Sequence, residues 1–187
     1  MLTRRHFIAA GGALALTPST LLAHNGPPHT SLATMSRRDV AVRDDVAPNS
    51  IHIFPEYFCI YHITAPGQAR EYHVAVGDQG RNLRGMTTIR RKEEWPSWTP
   101  TTNMIHREPD KYGPFAGGMA GGPDNPLGAR ALYLYRGNRD TMYRIHGTPQ
   151  PWTIGRAVSS GCIRLTNDDI VDLYNATEIG TTVHSYL

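Results

Sequence analysis

The sequence predicts a mainly-β domain with one short helix close to its C-terminus and a long Pro/Gly-rich loop. Three observations carry that expectation. From Ser50 onward, β-branched, aromatic and polar residues alternate in short runs broken by Pro and Gly, the period of half-buried strands. Prolines and glycines crowd the stretch from Glu94 to Arg130, which leaves little room for a strand or a sustained helix there. The clearest helical period comes late, where Ile170, Leu173, Tyr174 and Thr177 share one face.

In chain order, residues 1–23 read as an export signal. Arg4 and Arg5 precede an apolar segment from Phe7 to Leu16, then Pro18 and a small-residue cleavage point after Ala23. The apolar run is too short for a bilayer of about 30 Å. Thr-Arg-Arg-x-Phe-Ile resembles a twin-arginine signal, with an ordinary secretory signal as the alternative. Either places the exported part in the periplasm. Arg4 and Arg5 are the only formally charged residues in that segment, so the net charge of +3 becomes +3 − 2 = +1 without it. A nearly neutral chain with no basic run offers no footprint for nucleic acid. No later stretch is apolar for long enough to form a membrane helix.

Residues 24–49, rich in Pro, Ser and charge, read as a linker or arm with a short strand possible at Ala41-Val42. The remaining 50–187 suit one domain. Ile51 to Ile53 and Tyr57 to Thr64 read as a hairpin around Pro55-Glu56; Pro66-Gly67 turns into a strand over Ala69 to Val76, and Met86 to Arg90 is another. The 94–130 excursion contains Trp95 and Trp98, residues rare in disorder, and reads as an ordered wall of a cleft or a rigid flap. Ala131 to Arg136 and Thr141 to His146 form a second hairpin across Gly137-Asn138. Thr166 with Asp169, or Asn167, caps the late helix, and Thr181 to Tyr186 closes the sheet.

The chemistry concentrates between Arg144 and Leu165. His146 ends a strand, and Cys162 follows it by 162 − 146 = 16 positions, behind Ser159-Ser160-Gly161. A thiol attacks carbonyls as its thiolate and needs a neighbouring base, for which a neutral imidazole is suited. Gly161 allows a sharp turn, so the N–H groups of Ser160, Gly161 and Cys162 can face an oxyanion. The alternatives are plain: Cys162 as a small buried hydrophobe, or a Cys59–Cys162 disulfide that would consume the nucleophile. His52, His62 and His73 fall on predicted strands but lack an obvious carboxylate shell for a metal. Trp152 either packs on substrate or staples its loop.

His146-Gly147-Thr148 followed by Ser159-Ser160-Gly161-Cys162-Ile163-Arg164 resembles the active-site signature of the L,D-transpeptidase catalytic domain family. The likeness extends to Trp95 through Pro100, Gly121 through Gly128 and Asn167 through Ile170. Some members carry Ser-His-Gly-Cys where this chain has Ser160 before Gly161-Cys162, leaving His146 as the candidate base. The resemblance implies a β-sandwich or barrel-like mixed sheet with a cleft along one face, and no metal or organic cofactor. It implies a thioester on Cys162, the Gly147 carbonyl orienting His146, and Arg164 clamping a carboxylate or serving under the cleft. The implied donor is a peptidoglycan tetrapeptide stem cut before its terminal D-alanine. The implied acceptor is another stem or a lysine of an outer-membrane protein, and the resemblance also implies that carbapenems acylate the thiol. A hydrolase on the same scaffold, an L,D-carboxypeptidase, and a non-catalytic wall-binding module are the competing expectations.

Overall fold

A computed structural model describes residues 4–8, 37–78 and 80–186. The signal's apolar segment beyond Ile8, its cleavage point and residues 24–36 lie outside the described residues. The strands in chain order are β1 Arg38–Ala41, β2 Ser50–Phe54, β3 Cys59–Ala65, β4 Gln68–His73, β5 Val76–Gly77, β6 Gly85–Glu94, β7 Arg130–Arg136, β8 Arg139–His146, β9 Ala157–Ser159, β10 Ile163–Arg164 and β11 Thr182–Ser185. The helices are α1 Arg4–Phe7, α2 Thr102–Arg107, α3 Pro109–Tyr112 and α4 Asn167–Ala176.

Nine strands form one sheet in the order β1-β4-β3-β2-β11-β6-β7-β8-β10, and β5 pairs with β9 separately. Most neighbours are antiparallel, but β11 runs parallel to β2, and β10 parallel to β8. The sheet is therefore mixed, as the resemblance implied. Side chains alternate across each strand, so two cores form. Ile51, Ile53, Ile60, Ile89, Leu132, Leu134, Ile145 and Val183 face the larger one, against Ile170 and Leu173 of α4. Cys59, Tyr61, Ile63 and Ala69 turn the other way and meet Phe7, Val42 and Phe54.

That second core departs from the half-buried strands expected. Every residue of β2 is buried. The cover comes from Phe7, 0% exposed, whose ring lies 4.9 Å from His52, 5.4 Å from Phe54 and 5.2 Å from Tyr61, centroid to centroid. Arg4 donates to Tyr61 Oη at 2.7 Å and to the buried Glu71 at 3.0 Å, and Arg38 reaches the same carboxylate at 2.6 Å. Two guanidiniums and a phenol hold the Glu71 carboxyl below its usual range against the opposing effect of burial. The arm is likewise part of the sheet: β1 pairs with β4 along its length.

The 94–130 excursion also contains structure that composition hid. Thr101 caps α2 by accepting from the Met104 N–H at 3.2 Å, and Pro109 opens α3, where a missing N–H costs nothing. Trp98 packs against Tyr112 and Phe115, with ring centroids at 6.3 and 5.8 Å, and so ties the strand-like start of the excursion to its helices. Thr166 caps α4 through the Asp169 N–H at 3.2 Å, as the sequence predicted.

Candidate active site

His146 is fixed by backbone on both sides. It pairs with Ala131 of β7 and with Arg164 of β10, and its carbonyl accepts from the Leu165 N–H at 2.9 Å. The register sets Ile163 opposite Ile145, so one residue earlier Cys162 falls opposite Arg144. Alternation then puts Cys162, Arg164, Arg144 and His146 on one face, with the thiol diagonal to the imidazole. Both side chains line one cleft of about 370 Å³, together with Arg164 and walls from Trp98, Tyr112 and Leu127.

The imidazole Nδ1 sits 2.6 Å from the Gly147 carbonyl oxygen. A carbonyl only accepts, so Nδ1 carries the proton and Nε2 keeps its lone pair. Burial pushes the His146 pKa down to about 3, the Arg164 guanidinium adds to that, and the Gly147 carbonyl opposes it. His146 is therefore neutral at ordinary pH. Burial raises the Cys162 thiol above its ordinary value, while the Arg144 backbone N–H and the Arg144 and Arg164 guanidiniums pull it back. The resting pair is a neutral thiol and a neutral imidazole. In this state the sulfur lies 3.8 Å from the Met142 carbonyl oxygen.

The loop before Cys162 corrects one expectation. The Gly161 N–H already donates to Ser159 Oγ at 3.1 Å, and that hydroxyl donates to the Cys162 carbonyl at 2.6 Å. The Gly161 N–H is thus engaged within the loop. Gly161 matters instead for shape. Its φ is +133°, and a Cβ there would lie 2.9 Å from the Arg81 carbonyl oxygen and 2.9 Å from the Tyr143 ring. Ser160 points to the excursion, where Arg107 donates to its Oγ at 3.2 Å and Tyr112 Oη lies 3.4 Å away. Arg164 reaches the cleft with its Nε buried and unpartnered, while its backbone is clamped to Ala75 by bonds of 2.8 and 2.9 Å. Trp152 is not brought to the cleft; it is 61% exposed on the turn beyond Gln150.

Cys59 and Cys162 are both free, and Cys59 is buried in β3, so no disulfide consumes the thiol. Burial raises Cys59 to about 11, which leaves it inert. His52 is engaged within the sheet, its ring nitrogens 2.9 Å from Ser50 Oγ and 2.9 Å from Tyr186 Oη. Among the described residues no three His, Cys, Asp or Glu side chains converge as a metal group would require. Sequence reasoning missed two supports: Ser159 as the bridge across the loop before Cys162, and Asn167, whose Oδ1 accepts from the Ala129 N–H at 2.9 Å behind Gly147.

The protein is thus a mixed-sheet domain that carries a thiol and an imidazole along one cleft. The chain belongs to the L,D-transpeptidase catalytic domain (YkuD) family, whose profile matches residues 50–184. It is 43% identical over 114 residues to Escherichia coli ErfK/SrfK, described as a probable L,D-transpeptidase, covering 60% of this chain and 35% of that one. The chain thus spans about a third of that relative's length. A Brucella melitensis crystal structure, described as a probable carnitine operon oxidoreductase, is 49% identical with a TM-score of 0.56, covering 78% of this chain and 90% of that one. An L,D-transpeptidase from Mycobacterium tuberculosis shares the fold at 16% identity and a TM-score of 0.54, covering 74% of this chain and 57% of that one.

Proposed function

We propose that this chain is a cysteine acyltransferase of the cell wall, an L,D-transpeptidase with Cys162 as nucleophile and His146 as base. The observation that carries the reading is the shared cleft, lined both by the thiol and by an imidazole whose Nδ1 is held by the Gly147 carbonyl. His146 takes the thiol proton as sulfur attacks the carbonyl between the third residue of a tetrapeptide stem and its terminal D-alanine. The Ser160 and Cys162 N–H groups meet the oxyanion, a contribution of about 3–4 kcal/mol per donor in other enzymes. The C–N bond breaks, the imidazolium returns its proton to the departing D-alanine amine, and a thioester remains on Cys162. An amine then attacks the thioester, His146 again accepting its proton.

Arg164 suits the carboxylate of that terminal residue, since it lines the same cleft as the base and its buried Nε has no partner. The acceptor is a second stem or a lysine of an outer-membrane protein, and a carbapenem acylates the same sulfur. Export by the twin-arginine signal of residues 1–23 delivers the chain to the periplasm, where these substrates lie. The test is product analysis on tetrapeptide stems with and without a second amine. A joined product with released D-alanine is expected. D-alanine release with no joined product would instead make the chain an L,D-carboxypeptidase, and release of nothing would remove the enzyme reading.

A further inference from the structure

Cys162 sits at the seam of two cavities. The first holds His146 and Arg164. The second, about 560 Å³, opens between Asn103 and Arg107 of α2 and Thr141 and Tyr143 of β8, with Cys162 at its floor. Ser160, Met104 and Cys162 are common to both, and the Arg107–Ser160 and Tyr112–Ser160 contacts cross the boundary.

Arg107 is the only charged residue lining the second cavity among the described residues. Its guanidinium is poorly neutralised. It donates to the Ser160 hydroxyl, a neutral acceptor, at 3.2 Å, and its Nε lies 3.7 Å from Glu108. Glu108 has the closer partner in Lys111, at 2.9 Å. The rest of the lining is neutral, with Thr101, Thr102, Asn103 and Thr141 among it. A cation in an otherwise neutral wall that holds no carboxylate suits a carboxylate ligand.

Which half of the donor enters follows from the proton's path. The departing amine must receive a proton from His146 and the incoming amine must give one to it, so by microscopic reversibility both occupy the His146 side. His146 lines the first cavity and not the second. The acyl half of the donor therefore extends the other way, under α2. We infer that Arg107 reads a carboxylate on the side chain of the residue whose carbonyl Cys162 attacks, making the cavity between α2 and β8 the acyl-donor side. This inference rests on the transpeptidase reading and adds a specificity determinant to it.

The test uses the full chain with two stem tetrapeptides differing only in that side chain, a free carboxylate in one and a carboxamide in the other. Wild type is expected to favour the free acid about tenfold in kcat/KM, chiefly through KM, the scale of one charge-assisted contact. R107Q should bring the ratio near one, and R107K should restore part of it. A third donor, amidated instead on the terminal D-alanine, locates the effect, because its disadvantage should be the same in wild type and R107Q. Thermal melts of R107Q and R107K that match wild type establish that the ratios compare folded proteins. An acid-to-amide ratio unchanged by R107Q, or a wild type indifferent to the carboxamide, would overturn the inference while leaving the transpeptidase standing. A wild type that turns over none of the three donors would instead remove the reading beneath it.

Discussion

His146 Nδ1 donates to the carbonyl oxygen of its own neighbour, Gly147, at 2.6 Å, so the group that orients the proposed base is backbone. A carbonyl cannot be mutated away, yet its position can be moved. At Gly147 a Cβ would lie 2.3 Å from Asn167 Oδ1 and 3.0 Å from Ile170 Cγ2. Gly147→Ala is therefore expected to shift the carbonyl and lower kcat by at least about tenfold, since a misplacement near 1 Å can cost about 10²-fold. Steady-state kinetics beside a thermal melt checks this; unchanged kcat would show that the clasp yields freely.

His146→Gln keeps a side chain of similar reach but no base. With a raised thiol pKa, the thiolate is scarce at neutral pH, so nothing else in the cleft supplies it. A loss of about 10²–10⁴-fold in kcat/KM is expected, the usual worth of general base catalysis. In parallel, the rate of Cys162 alkylation should reach half its maximum only above pH 9.0, the ordinary thiol value from which burial raises it. Alkylation half-maximal near neutrality would mean a preformed thiolate and a different division of labour.

Gly128 closes the same clasp from the other side. Its φ is +63°, and a Cβ would lie 2.3 Å from Asn167 Oδ1 and 2.6 Å from the Gly147 carbonyl carbon. Gly128→Ala combines left-handed strain with a backbone collision and should cost about 2 kcal/mol or more. A melting temperature within a degree of wild type would contradict the packing described.

Acid should destabilise this fold well before carboxylates titrate. Burial holds His52 near a pKa of about 4 and His146 near about 3, and lowers His62 and His184 as well, from 6.5. The unfolded chain binds these protons as pH drops below 6.5, while the folded chain does not, so the unfolded state gains. Stability is thus full above pH 6.5 and falls steadily below it, by about 2 kcal/mol each for His52 and His146 by pH 5. Denaturant melts across pH 5 to 8 test this, and a flat profile would mean that the rings are solvated.

Phe7 gives a fourth variant. A fully buried phenylalanine ordinarily costs about 3–5 kcal/mol when cut to alanine. Residues 4–8 can detach instead of leaving a cavity, so Phe7→Ala should cost only about 1–3 kcal/mol. A chain starting after Ala23 should show the same loss, and a larger loss for the point variant would contradict simple detachment.

These residues also show where the sequence was readable. The strands and the α4 cap at Thr166 lay in local period and residue type, which survive folding, whereas the shared cleft of Cys162 and His146 did not follow from their spacing. What stayed hidden was set at long range. Phe7 reads as part of an export signal, and only the opposite face of β2 and β3 shows what it covers. The helices α2 and α3 hide behind Pro109 and Gly113, whose breaking tendency mattered less than the Thr101 cap and the Trp98–Tyr112–Phe115 packing. Ser159 and Gly161 sit two apart, yet only the folded loop shows that the hydroxyl takes the Gly161 N–H. The clasp of Gly128, Gly147 and Asn167 joins three distant segments, beyond the reach of any local pattern.

The most direct measurement is intact mass after brief exposure to a tetrapeptide stem without an acceptor amine. Wild type should gain the mass of the stem less its terminal D-alanine, released again on adding an amine, and Cys162→Ala should gain nothing. The same adduct on Cys162→Ala, or none on a wild type that still releases D-alanine, would contradict a thioester at this sulfur.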